Sequence, residues 1–146
     1  MLKPAYLQKE AAVERETVRL PLRVMYKAGG TDIMQEKNKE VVRALYKEFF
    51  NDHIVESADK YVREDYIQHN PGVDQGREAL KSAFAQKFIE HPDFKLDIKM
   101  MVADGDMVWV YLKNVDPEGN TRCRVVDMYR LKDGKLAEHW DVLQPC

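Results

Sequence analysis

"VVDMYRLKDGKLAEHWDVLQP", residues 125–145, decides how this chain folds. Alternation through its first half and the residues just before it puts Cys123, Val125, Asp127, Tyr129 and Leu131 on one face. Arg122, Arg124, Val126, Met128 and Arg130 take the other face, as a strand of period two requires. Asp133-Gly134 then turns the chain back. The returning strand carries a carboxylate, an imidazole, an indole and a second carboxylate in a row, Glu138-His139-Trp140-Asp141. Whichever side of it faces inward must hold an ionisable group, so the row is either a decorated edge or the wall of a cavity.

Two registers are open for this hairpin. A two-residue turn at Asp133-Gly134 pairs Lys132 with Lys135 and sets Asp127 opposite Trp140. A three-residue loop with a Gly bulge pairs Leu131 with Lys135 and sets Asp127 opposite His139. A slip of one residue swaps the faces of the whole strand.

Working back toward the N-terminus, "TRCRVVDMYRL" is preceded by a turn over Pro117–Asn120, by "MVWVYLKNV" and by a turn at Asp104-Gly105. Before these, Phe94, Leu96, Ile98, Met100 and Val102 alternate with Lys95, Asp97, Lys99 and Met101, with Met100 and Met101 expected in the core. Gly76 to His91 predicts a helix with Leu80, Phe84 and Phe88 on one row, stopped at His91-Pro92. "DYIQHNPG" predicts a brief strand and 55–64 a short helix. Val41, Leu45 and Phe49, beside Val42, Tyr46 and Phe50, give a wide apolar stripe on a first helix. Residues 1–33 are expected to be an extension, weakly helical and then strand-like, broken at Pro21 and jointed at Gly29-Gly30; residues 34–146 form the domain. Helices followed by an antiparallel meander are an α+β signature. A strongly curved sheet wrapped around the N-terminal helices would make a cone, or α+β barrel, with an open mouth.

The chain has 146 residues, enough for one domain with a core and too few for two. A net charge of -2 gives no reason to expect a nucleic-acid partner. No apolar run reaches the roughly 20 residues that span a bilayer, and no signal-peptide core is present, so no membrane partner is expected. Cys123 and Cys146 form no disulfide framework and fit no zinc spacing, which makes a reducing cytoplasm the expected compartment. His53, His69, His91 and His139 are scattered without the spacing of a helical metal motif, so no metal is expected.

The order of elements, together with "YIQHNP" at 66–71, "VVDMYRLKDGKL" at 125–136 and "EHWDVLQP" at 138–145, resembles the SnoaL-like polyketide cyclase branch of the nuclear transport factor 2-like (NTF2-like) superfamily. The resemblance covers about Met34 to Cys146. It implies a cone-shaped fold of the cystatin-like kind. It also implies a cofactor-independent enzyme for cyclisation, isomerisation or dehydration, or else a non-catalytic binding or dimerisation module. Asp127 matches the aspartate that ketosteroid isomerases place in the oxyanion hole and that cyclases use as acid/base. Tyr46 matches the isomerase's oxyanion-hole tyrosine. Asn70 stands where the isomerase has its general-base aspartate, and His69 could replace that base only if its strand turned it inward. Tyr111 and Lys113 stand where many relatives have histidines. The relatives' pattern favours the three-residue loop, which brings His139, Asp141 and Leu143 inward with Asp127 and Tyr129. Glu138 and Trp140 then lie on the outer face, often a dimer surface in this superfamily. The resemblance therefore implies a homodimer through that face, where Arg122, Arg124 and Arg130 accompany Trp140.

The residues themselves support an acid/base site. Asp127 points from an apolar strand face, where a carboxyl group loses hydration and its neutral, hydrogen-bond-donating form is favoured. A histidine next to it makes a usable proton pair, and Asp127 and His139 are the expected catalytic residues. The structural alternative is a buried Asp and a core His that satisfy one another without turnover. Tyr66, Gln68 and Asn70 share one strand face and could orient a carbonyl or hydroxyl group, while Asn-Pro-Gly also suits a sharp turn. The expected ligand is a small hydrophobic carbonyl compound, contacted by Tyr46, Tyr66, Gln68, His69, Asn70, Tyr129 and Asp141.

Overall fold

The computed structural model describes residues 22–146. Helix α1, Leu22–Leu45, continues into a π-helical turn at Tyr46–Asn51. A single 3₁₀ turn at Val55–Ser57 leads into the one-turn helix α2, Ala58–Tyr61, and then strand β1, Val62–Gln68. Helix α3, Arg77–Glu90, precedes the meander β2 (Lys95–Asp104), β3 (Met107–Val115), β4 (Thr121–Lys132) and β5 (Lys135–Pro145). The sheet order is β1-β5-β4-β3-β2, with β1 parallel to β5 and all other pairs antiparallel. The α+β architecture expected from the sequence, a curved sheet around packed helices, is the one found. None of the helices described is long and apolar enough to cross a membrane.

The apolar stripe of α1 becomes the centre of the core. Val42, Leu45, Tyr46, Phe49 and Phe50 are all buried. The π turn fits the extra width of that stripe: one added residue in the turn lets Tyr46, Phe49 and Phe50 all face the sheet. Asn51 closes the turn by mimicking a strand. Its Oδ1 accepts from the Leu96 amide at 2.8 Å and its Nδ2 donates to the Leu96 carbonyl at 2.9 Å. Phe49 and Phe50 then meet Phe84 edge-on, with ring centres 5.5 and 5.0 Å away, which docks α3 against the first helix.

Four expectations are corrected. Helix α1 replaces the strand-like run expected after Pro21 and passes unbroken through Gly29-Gly30, where a joint was expected. Glycine costs a helix about 1 kcal/mol, which weakens it without forbidding it. The weakly helical first part of the extension and Pro21 lie outside the described residues. The helix expected over 55–64 ends at Tyr61, because β-branched Val62 is fully buried in the sheet, paired with Leu136. The alternation of β2 reverses at a bulge between Ile98 and Met100, so Met101 and Ala103 pack against the core while Met100 and Val102 are exposed.

The fourth correction is the hairpin register. Asp133 and Gly134 both have positive φ, 53° and 74°, and form the two-residue turn with Lys132 opposite Lys135. A bulge at Ala137 then moves the pairing on, from Leu131 opposite Leu136 to Arg130 opposite Glu138. Beyond it Tyr129 faces His139 and Asp127 faces Asp141. The turn is that of the first register, but His139 and Asp141 point inward as in the second. An extra residue in one strand restores the side-chain parity that the tight turn alone would have inverted.

Candidate active site

A cavity of about 450 Å³ opens between α3 and the concave face of the sheet, within the range of small-molecule sites. Its wall includes Tyr66, Gln68, Asn70, Asp127, Tyr129, His139 and Asp141, with Leu80, Phe84, Phe94, Leu112 and Val125 supplying apolar surface. Three strands thus carry the polar end of the cavity: β1 with Tyr66 and Gln68, β4 with Asp127 and Tyr129, and β5 with His139 and Asp141.

Two of the expected contact residues stand elsewhere. His69 is on the outer face, its ring stacked on Trp140 at 4.8 Å and its Nε2 2.8 Å from Glu138. Strand alternation sends it away from Gln68, so it does not replace the base that Asn70 lacks. Tyr46 is fully buried behind the cavity wall, and its hydroxyl donates to Asp127 Oδ2. It supports the carboxyl group from the helix side and does not line the cavity. Tyr111 and Lys113 pair with the outer-face residues Val126 and Arg124, so the absence of histidines there does not alter the cavity.

The protons of the central pair can be counted from fixed donors. The backbone N–H of Asn70 donates to Gln68 Oε1 at 3.0 Å, which identifies that end of the amide as the oxygen. The same oxygen lies 2.8 Å from His139 Nδ1. An amide oxygen only accepts, so Nδ1 carries a proton. His139 Nε2 then faces Asp127 Oδ1 at 2.9 Å. One proton lies between these two atoms, as imidazolium with carboxylate or as imidazole with carboxylic acid, since a bare lone pair against a carboxylate would repel. Gln68 is itself held on the free edge of β1: its N–H donates to Gln75 Oε1 at 2.9 Å, and Gln75 Nε2 donates to its carbonyl at 2.5 Å. The sequence pattern marked Gln68 as a substrate contact and offered no sign of this positioning role or of Gln75, which follow from the fold of the β1–α3 loop.

Asp127 and Asp141 are direct cross-strand partners, an arrangement in which two carboxylates repel. Each is supplied with donors. Tyr46 and Tyr129 hydroxyls face Asp127 Oδ2, the second at 3.4 Å, and Asn70 Nδ2 donates to Asp141 Oδ2 at 2.5 Å. Asn70 is aimed by its own turn, because the Gly72 N–H donates to its Oδ1 at 2.8 Å. Asn70 therefore serves both the turn and the site.

Asp127, His139 and Asp141 bring three possible metal-ligand atoms within 4.8 Å of one another, a cluster that the scattered histidine spacing did not announce. The hydrogen bonds above connect Asp127 Oδ1 to His139 Nε2 and Asp141 to Asn70.

Tyr66 differs from its neighbours. Its phenol is pushed well above the ordinary value by burial first, and then by the charges of Asp127 and Asp141. Among the described residues no side chain hydrogen-bonds to it, and its ring lines the cavity. It remains a neutral O–H donor open to a ligand. Burial, followed by the Asp127 charge, also raises Tyr46 and Tyr129 far above the usual range.

Two predictions follow from these geometries. In ¹⁵N-histidine NMR near neutral pH, His139 should show a protonated Nδ1, and Gln68→Leu should release the Nδ1–H to exchange between tautomers; a neutral His139 protonated only at Nε2 would contradict the proton count. The three tyrosines ionise at higher pH in the folded than in the unfolded chain, so the folded state retains protons that the unfolded state has lost. Their contribution to stability is complete below about pH 10 and is lost as pH rises toward the folded values. The urea midpoint should fall above about pH 10, and less steeply in Tyr46→Phe; a midpoint flat through that range would be the contrary result.

The comparisons agree with this architecture. The model of the SnoaL-like polyketide cyclase family matches residues 40–145. Wild-type IdmH from Streptomyces antibioticus is similar in structure, with 22% sequence identity, a TM-score of 0.61 and coverage of 73% of this chain and 91% of that one. TsrD from Streptomyces laurentii has 19% identity and a TM-score of 0.60 over 75% of this chain and 89% of its own. An NTF2-like protein from Mesorhizobium loti has 20% identity and a TM-score of 0.60 over 75% of this chain and 93% of its own. At such identities the likeness establishes the fold alone. A search of curated proteins finds no match. The family match spans most of the chain, and the protein belongs to the SnoaL-like polyketide cyclase family, with the NTF2-like α+β fold.

Proposed function

We propose that this protein is a cofactor-independent acid/base enzyme acting on a mostly apolar carbonyl compound, by enolisation leading to aldol-type cyclisation, isomerisation or dehydration. The observation that carries this reading is the 2.9 Å contact between Asp127 Oδ1 and His139 Nε2, which needs one shared proton, in a cavity that also presents the Asp141 carboxylate and the free Tyr66 hydroxyl. Tyr66 donates to the substrate carbonyl oxygen. Asp141, whose Oδ1 has no hydrogen-bond partner among the described residues, takes the proton from the adjacent carbon. The Asp127–His139 pair gives its proton to the oxygen as negative charge develops there, and the steps reverse when the enol collapses onto a new bond. Gln68 keeps His139 in the competent tautomer, and the apolar wall excludes water. Two free thiols suit a reducing compartment such as the cytoplasm.

Planar phenols of graded acidity, which mimic an enolate, test the assignment. Wild type should bind the more acidic phenols more tightly. Asp127→Asn should lose that preference, and Tyr66→Phe should weaken binding, each by about tenfold or more. Asp141→Asn should bind phenols at least as well as wild type, since it removes the base and keeps the acid. Equal binding by wild type and Asp127→Asn would refute the oxyanion site and leave a binding module.

We further propose a homodimer through the outer sheet face. Cross-strand rows Met100–Tyr111–Val126–Val142 and Val102–Trp109–Met128–Trp140 form an apolar surface there. Met100 and Val142 are each 61% exposed. Arg130 stacks over Trp140 at 5.4 Å and pairs with Glu138 at 2.5 Å along one margin. A contiguous apolar surface with aromatic residues and a charged margin suits a protein–protein interface. Light scattering at micromolar concentration should give the mass of a dimer, and Val142→Glu should give a monomer; a wild-type monomer would rule the dimer out.

A further inference from the structure

The cavity is polar at its inner end and charged at its mouth, with apolar walls between. The most exposed lining residues are Gly72, Lys87, His91, Arg122 and Leu143, and the charged side chains among them are basic. Arg122 is neutralised by Asp93 at 2.6 Å. Lys87 has no carboxylate within 4.0 Å of its ammonium among the described residues. It is held over the rings of Phe94 and Phe84, at 4.9 and 5.5 Å from their centres, and both rings are cavity wall. The last turn of α3 favours a cation, but that preference does not require the ammonium to sit over cavity rings. Two aromatic faces hold the charge at the mouth without neutralising it.

On the opposite wall, Asp127 and Cys123 line the cavity on the same face of β4, four residues apart. At the rise of a strand the cavity therefore runs about 13 Å along β4 between these two side chains. We propose that Lys87 receives an anionic group, a carboxylate carried at the far end of the substrate. The substrate class is then an apolar carbonyl compound with a carboxylate about 13 Å from the reacting carbonyl. Lys87 is a specificity-determining residue: it touches the far end of the ligand and takes no part in proton transfer. His91, which caps the C-terminus of α3 four residues on, also lines the cavity and offers a ring N–H to the same group. This inference rests on the inner end being the carbonyl site proposed above.

The probes are 4-hydroxyphenylalkanoic acids of increasing chain length and their methyl esters, whose phenol occupies the inner end. Binding is measured calorimetrically to wild type, Lys87→Ala, Lys87→Glu and Asp127→Asn. Short acids should bind no better than their esters. Once the chain reaches the mouth, the acid should be favoured by about three- to tenfold, and this advantage should shrink at high salt. Lys87→Ala should abolish the preference and Lys87→Glu should reverse it, each read as the ratio of acid to ester affinity within the same variant. Long acids no tighter than their esters, or a preference that survives in Lys87→Glu, would overturn the proposal. The two readings fail separately. Esters that bind through Asp127 while acids gain nothing sink the mouth assignment alone. A Lys87-dependent acid preference in ligands whose affinities, acid and ester alike, do not fall in Asp127→Asn sinks the inner assignment alone. No binding of either series removes both.

Discussion

The bulge at Ala137 is the constraint on which the site depends. A two-residue turn at Asp133-Gly134, continued without interruption, would point Trp140 inward and His139 outward. One extra residue in β5 reverses this and sets Tyr129 opposite His139 and Asp127 opposite Asp141. The cost is one unpaired position in the ladder, close to the turn. The gain is that three ionisable groups and two phenols share one concave face, while Glu138 and Trp140 join Arg130 and His69 outside. A bulge that re-aims side chains beside a cavity is a device for function more than for stability.

The buried polar cluster is consistent with a folded chain only because its members satisfy one another. Asp127 is 6% exposed and His139 7%. An unpaired charge at such a depth would cost several kcal/mol. Here Tyr46 and Tyr129 supply Asp127 from the helix and strand sides, Gln68 supplies His139, and Asn70 supplies Asp141. Two of these supports are fixed by backbone N–H groups, those of Asn70 and Gly72. Main-chain donors define which way each amide points, so the tautomer of His139 is set by the shape of the β1–α3 loop. The cluster that stabilises the fold is thereby also preorganised for proton transfer, and Tyr66 is left as the donor with no internal partner.

The same loop and the first helix explain why catalytic and structural roles were hard to separate on paper. Tyr46 has the position of an oxyanion-hole residue in the resembling isomerases, yet the π turn holds it behind Asp127. Its hydroxyl reaches the cavity only through that carboxyl group. Asn70, which lacks the chemistry of the isomerase base, is placed to orient another carboxylate, Asp141. The polar residues of this cavity thus hold one another in an order that differs from the one the resemblance implies.

By itself the sequence determined the class of fold, a helix over 76–91, the four-stranded meander and the inward face of β4, because hydrophobic period and turn residues are local signals read within one segment. It also marked Asp127, His139, Tyr66, Asn70 and Asp141 as site residues, partly from alternation and partly from resemblance. Tertiary structure alone decided the bulges at Lys99 and Ala137, since each is a mismatch between two strands that neither strand encodes by itself. It decided that His69 faces outward and that Tyr46 lies behind the wall. It also brought together Gln75, Gln68 and His139, because which partner satisfies a buried polar atom depends on contacts between residues up to 71 positions apart.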